Sequence, residues 1–123
     1  MAHPVVHFEI AADDPERLKQ FYTELFGWSI EPMQGMGGYM MVTTAEEGGQ
    51  GINGGMMKRQ TPQHTNTNYV LVESVADYAE RAKQLGGQVV MPKSPVPGMG
   101  WVAVCLDPDG NMIGLWQTDP NAA

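Results

Sequence analysis

Residues 4–57 and 68–118 of this chain follow one pattern twice. PVVHFEI, residues 4–10, is β-rich, and DDPERLKQFYTELFG after it has helical grammar. Asp13 or Asp14 can cap, Pro15 suits the first turn, Glu16 favours the helix dipole, and Gly27 fits the position just past the last turn. Three short β-like runs follow, WSIEP, GYMMVTT and GINGGMM, broken by glycine-rich turns. The second half takes the same course. NYVLVES predicts a strand, SVADYAERAKQLGG a helix with Ser74 and Asp77 as a capping pair, and QVVMP, GWVAVCL and NMIGLWQ three strands. The order βαβββ is thus written twice. An ungapped shift of 60 residues lays Leu25 on Leu85, Gly27 on Gly87, Gly38 on Gly98, Val42 on Val102 and Gly54 on Gly114, so turn glycines and core positions superimpose together.

Residues 58–67, in the polar and aperiodic KRQTPQHTNTN, read as a linker between the two modules. A chain of 123 residues can bury one respectable core and is too short for two. A four-stranded sheet with one helix leaves a face bare, so neither module is expected to stand alone. The predicted fold is α+β: one domain over residues 1–123, in which two βαβββ modules form a curved mixed-sheet trough with the helices outside. The stripe Leu18, Phe21, Tyr22, Leu25 is helical in spacing and is expected to pack on the sheet.

Strand alternation predicts the lining of that trough. Val6, Phe8 and Ile10 should meet the first helix, which points His7 and Glu9 into the cavity. By the same parity Tyr69 and Leu71, Trp101 and Ala103, and Gly114 and Trp116 face inward, and the 60-residue shift adds Met41, Gly54 and Met56. A lining of aromatics and methionines with few titratable groups suits a planar or apolar organic ligand held by a few polar contacts. The competing reading is that these Trp and Met side chains are core or interface.

The net charge of −7, with only seven Lys plus Arg, argues against nucleic acid or an anionic membrane surface as partner. Nothing in the sequence resembles a membrane span or a signal peptide, so a cytoplasmic protein is expected. Cys105, flanked by Val104 and Leu106, is the single cysteine and is expected to be a buried strand residue. The GMGG and GGQGINGG stretches lack a Walker lysine and read as turns.

HFEIAADDPERLKQFYTELFGW, LGGQVVMPKSPVPGMGW and above all LDPDGNMIGLWQ resemble the vicinal oxygen chelate superfamily of glyoxalases, extradiol dioxygenases and bleomycin-resistance proteins. The resemblance covers nearly the whole chain. It implies a homodimer, and a divalent metal held by side chains from the first, fourth, fifth and eighth strands. Those positions fall on His7, Gly54, Thr67 and Gly114, and only His7 is a usual ligand. Where relatives read GNxIEL, with the Glu coordinating, this chain has GNMIGL. One imidazole cannot hold a catalytic metal that needs three or more donors. No cofactor is therefore expected, and the emptied space at the two glycines is expected to admit a ring of the ligand.

Four functions remain open on the sequence. The favoured one is a metal-independent binder of a small organic, aromatic ligand, with Trp101, Trp116 and Tyr69 stacking and His7 or Glu9 as polar anchors. The second is a metal-dependent lyase or dioxygenase with a non-standard ligand set that uses His7 and Glu9. The third is a metal-free enzyme with His7 and Glu9 as an acid–base pair. The fourth is an interaction module.

Overall fold

Capping fixes the two helices where the sequence places them. The computed structural model describes residues 2–123, with element order β1 (Val5–Ala12), α1 (Pro15–Phe26), β2 (Ser29–Pro32), β3 (Met40–Thr43), β4 (Gly54–Lys58), β5 (Thr67–Leu71), α2 (Val75–Gln84), β6 (Gln88–Val96), β7 (Gly100–Leu106) and β8 (Met112–Thr118). Asp14, in extended backbone, caps α1 by accepting from the Arg17 N–H, and Pro15 opens the first turn. Gly27 closes the helix at φ 74°, a conformation that a side chain would strain. Ser74 caps α2 by accepting from the Asp77 N–H.

The chain divides into two compact units, each with the βαβββ order. His7–Asn66 forms the first, and Thr67–Ala123 with residues 2–6 forms the second. In the first unit the strand order is β2-β3-β4-β1, with β1 and β4 parallel and the other pairs antiparallel. Its core joins Ile10, Ala12, Ile30, Met40, Val42 and Met56 with Phe8, Leu18, Tyr22 and Trp28. In the second unit the order is β5-β8-β7-β6, with β5 and β8 parallel. Its core gathers Val72, Val75, Ala79, Ala103, Cys105 and Leu115, and Gln117 anchors α2 by accepting from the Val75 N–H. The class is α+β, with mixed sheets each covered by a helix.

Three expectations need correction. Leu18 and Tyr22 pack onto the first sheet, but Phe21 and Leu25 stay 53% and 57% exposed, so the apolar stripe of α1 is wider than the face the sheet covers. Thr67, read as the end of the linker, is the buried first residue of β5. Met56, expected to line the trough, is a core residue beside Met40. Cys105 is buried as expected, and desolvation pushes its thiol pKa up, away from nucleophilic use.

Candidate functional site

In the first unit the parity of β1 turns Phe8, Ile10 and Ala12 toward α1 and leaves His7 and Glu9 on the opposite face. Registered partners in a sheet share a face. Glu9 sits opposite Gly55, and Gly55 opposite Met41, so these residues and His7 lie on the helix-free side. Phe8 sits opposite Gly54 and Ile10 opposite Met56, which places Gly54 and Met56 on the helix side. Gly54 and Met56 are thus corrected from cavity lining to core. A β-carbon at 54 would run into the Phe8 carbonyl and ring, so this glycine serves the close approach of two strands.

The polar centre of the helix-free face is a hydrogen bond of 2.9 Å between His7 Nε2 and the Tyr39 hydroxyl. Burial pushes the His7 pKa below its usual range, so the imidazole is neutral at pH 7 and either donates to or accepts from the phenol according to its tautomer. Tyr39 arrives from the β2–β3 loop, whose turn is closed by backbone bonds from Met33 N–H to Tyr39 O and from Tyr39 N–H to Met36 O. Its hydroxyl occupies the space that a β-carbon on Gly55 would need. The role of Gly55 is therefore to let the phenol lie against the sheet.

Glu9 has a partner from the segment after β4. His64 Nε2 stands 3.8 Å from Glu9 Oε1, with both side chains nearly buried at 9% and 12% exposure. The Gln60 N–H donates to His64 Nδ1, which places the ring proton of the neutral form on Nε2, facing the carboxylate. Arg59 fastens this segment: it donates to Asp13 Oδ1 at 2.9 Å, to the Ala11 carbonyl and to the His64 carbonyl. Beside Tyr39 a cleft of about 470 Å³ runs past Met36, Met40 and Met57 to the first turn of α1 at Asp14, Pro15 and Glu16.

The second unit repeats the arrangement of ring and glycine. Tyr69 and Gly114 are registered partners on the helix-free face, and the Tyr69 ring fills the space that a β-carbon at 114 would take. Leu71 and Trp116 continue that face, with the indole N–H of Trp116 donating to Thr118 Oγ1. Trp101 and Ala103 are corrected to the helix side: Ala103 is core, and Trp101 packs against that core while its indole N–H donates to Asp119 and Lys93 Nζ lies 4.4 Å over its ring. The bond from Trp101 holds the Asp119 carboxyl below its usual pKa.

The structure thus brings His7, Glu9 and Met41 to one face of the first unit, and Tyr69, Gly114 and Trp116 to one face of the second. Sequence reading missed His64, which lies in an irregular segment where strand parity says nothing, and Tyr39, which precedes β3 in phase with Met41 and whose place in the run GYMMVTT was the signal that could have found it. The ring-sized space expected at Gly54 and Gly114 is taken by the protein's own Phe8 and Tyr69. Facing the helix-free side from β4 and β8 are Gly55 and Gly114, which supply no side-chain donor, and among the described residues no group of three or more His, Cys, Asp or Glu could hold a metal ion. The donor set does not fit a divalent metal.

The chain is thus an α+β fold with the βαβββ order written twice and with His7, Tyr39 and Glu9 on the helix-free face of the first unit. The chain belongs to the Glyoxalase/Bleomycin resistance protein/Dioxygenase superfamily, whose family model matches residues 5–115. It is 33% identical to a candidate glyoxylase, CFP32, of Mycobacterium bovis over 90% of this chain and 44% of that protein. It is 28% identical to the anthracycline biosynthesis protein DnrV of Streptomyces peucetius over 89% of this chain and 45% of that protein. The chain spans less than half the length of these curated relatives. Methylmalonyl-CoA epimerase from Mycobacterium tuberculosis has a similar fold, with a TM-score of 0.65 at 14% identity over 94% of this chain and 88% of the other. No helix among the described residues is long and apolar enough to cross a membrane.

Proposed function

We propose that this chain binds a small organic ligand, aromatic in at least one ring, without a divalent metal. The observation that carries the reading is the pairing of Tyr39 with Gly55: the β4 position that could offer a metal donor is a glycine, and a phenol bonded to His7 covers it. His7, Tyr39 and Glu9 then supply the polar anchors, and Met41 with the methionine-lined cleft beside Tyr39 supplies adaptable apolar surface. Tyr69, Leu71 and Trp116 give the second unit an aromatic and apolar helix-free face of its own. A relative named for anthracycline biosynthesis supports the aromatic class, since anthracyclines are flat polycyclic compounds.

The test is a fluorescence titration of the purified chain with a panel of anthraquinones, run with and without EDTA, next to a metal assay by plasma mass spectrometry. Saturable quenching that EDTA leaves unchanged and that Tyr39→Phe weakens is the expected result. Binding that depends on stoichiometric metal would refute it.

A further inference from the structure

We infer that Asn53 is a site of spontaneous deamidation, at which the backbone nitrogen of Gly54 attacks the side-chain amide and the turn between β3 and β4 assists the attack. Asn53 is exposed, and it is the one asparagine of this chain that a glycine follows. Strand packing explains the glycine: a β-carbon at 54 would run into the Phe8 carbonyl and ring. The same lack of a side chain leaves the Gly54 nitrogen unhindered. Gly54 is also the first residue of β4, where strand pairing opens most readily.

The turn holds the reacting amide in place. Asn53 Oδ1 accepts from the Thr44 N–H at 2.9 Å and from the Ala45 N–H at 3.1 Å. The Thr44 hydroxyl donates to the Ile52 carbonyl, which fixes the backbone just before the asparagine. In the reaction Gly54 N bonds to Asn53 Cγ and gives up its proton to water, and negative charge gathers on Oδ1. Two fixed donors meet that charge as an oxyanion hole does, holding the charged oxygen more strongly than the neutral one. The Cγ–Nδ2 bond then breaks, and Nδ2 takes up a proton and leaves as ammonia. Water opens the succinimide that remains, so that one amide and one water have become one carboxylic acid and one ammonia. Attack at Cγ gives aspartate, whereas attack at the main-chain carbonyl gives isoaspartate, with one more carbon in the backbone ahead of β4. The donors on Oδ1 polarise the Cγ carbonyl and direct water to it. Aspartate is thus the favoured product of the folded chain, and its carboxylate keeps both N–H bonds.

The test incubates the purified intact chain in mildly alkaline buffer, folded or in urea, and follows it for weeks by ion exchange and peptide mapping, with electron-transfer fragmentation to tell aspartate from isoaspartate. The folded chain is expected to yield a species with one added negative charge, changed at residue 53 before Asn66, Asn68, Asn111 or Asn121, with aspartate in excess. In urea the two donors are lost and isoaspartate should prevail, because the adjoining amide makes the main-chain carbonyl the more electrophilic of the two. Asn53→Gln, which would have to close a larger ring, should lose the early acidic species. No change at 53 in the folded chain overturns the proposal, as does an early acidic species that persists in Asn53→Gln. An aspartate share that is the same in urea as in the folded chain also overturns it, since the turn then takes no part.

Discussion

The hydroxyl of Tyr39 lies where a β-carbon on Gly55 would stand, and from there it makes its 2.9 Å bond to His7. A side chain at 55 and this bond exclude each other. Gly55→Ala is expected to expel the phenol and leave His7 without that partner, and Tyr39→Phe should remove the same bond without moving the backbone. Each change should cost about 1 kcal/mol, the ordinary net worth of a part-buried hydrogen bond. The His7 ring resonances, followed by NMR, should move alike in both variants. Different shifts would mean that Gly55 has some role apart from admitting Tyr39.

Gly54 and Gly55 are neighbours with opposite tasks, and their alanine variants should separate. A methyl at 55 meets the mobile end of a tyrosine, whereas a methyl at 54 meets the Phe8 backbone carbonyl in the adjacent strand. Backbone cannot step aside cheaply in a paired sheet. Gly54→Ala is therefore expected to lose about 3 kcal/mol in denaturant unfolding, well beyond Gly55→Ala. Equal losses would contradict the facing assigned to these strands.

That facing is also where sequence reading stopped. The duplication, the caps at Asp14, Gly27 and Ser74, and the placement of His7, Glu9, Tyr69, Gly114 and Trp116 on the helix-free faces of their own units follow from local chemistry and period-two alternation. The ungapped shift between modules holds at β1 and β5, where Ile10 and Val70 both face their helices. By β3 and β7 it has slipped by one, since Val42 corresponds in facing to Ala103, and at β4 and β8 it slips the other way, since Gly55 corresponds to Gly114. A slip of one residue turns every side chain of a strand over, which is how the shift placed Gly54 and Met56 on the wrong face, whereas Trp101 and Ala103 were misplaced by the alternation assumed for β7 itself. His64 carries no such periodicity and needed the turns around it to be folded first, whereas Tyr39, in phase with Met41, was legible in the run GYMMVTT.

His7 gives the stability of the fold a pH dependence of known sign. Burial lowers its folded pKa below the value of about 6.5 it has when unfolded. Above that value both states are neutral there and His7 contributes no pH dependence. As the pH falls through the window below 6.5, the unfolded chain takes up the proton first, so stability drops until the folded pKa is passed. His7→Gln removes this proton. Urea unfolding between pH 8 and pH 5 should then show a shallower decline in the variant than in wild type, and a steeper one would mean that the charged imidazole is the form the fold prefers.

Arg59 holds the segment that carries His64, through Asp13, the Ala11 carbonyl and the His64 carbonyl. Lysine at 59 keeps the charge but cannot make the planar fork that reaches three acceptors. Arg59→Lys is accordingly expected to raise amide exchange at His64, whose N–H donates to the Thr61 carbonyl, while amides of β7 keep their protection. Unchanged exchange at His64 would show that the Gln60 bond to its ring is enough to hold the segment.

Metal supplies the sharpest contrast with the resemblance that the sequence carries. A ligand bound only by the folded state at a hundred times its dissociation constant adds about 2.7 kcal/mol, which moves the midpoint of a domain this size by several degrees. With Gly55 and Gly114 at the donor positions, Mn²⁺, Ni²⁺ or Zn²⁺ should leave the thermal midpoint where EDTA leaves it. A rise of several degrees with one of these ions, abolished in His7→Ala, would require a donor set that includes His7, and the phenol over Gly55 would then have to move aside to complete it.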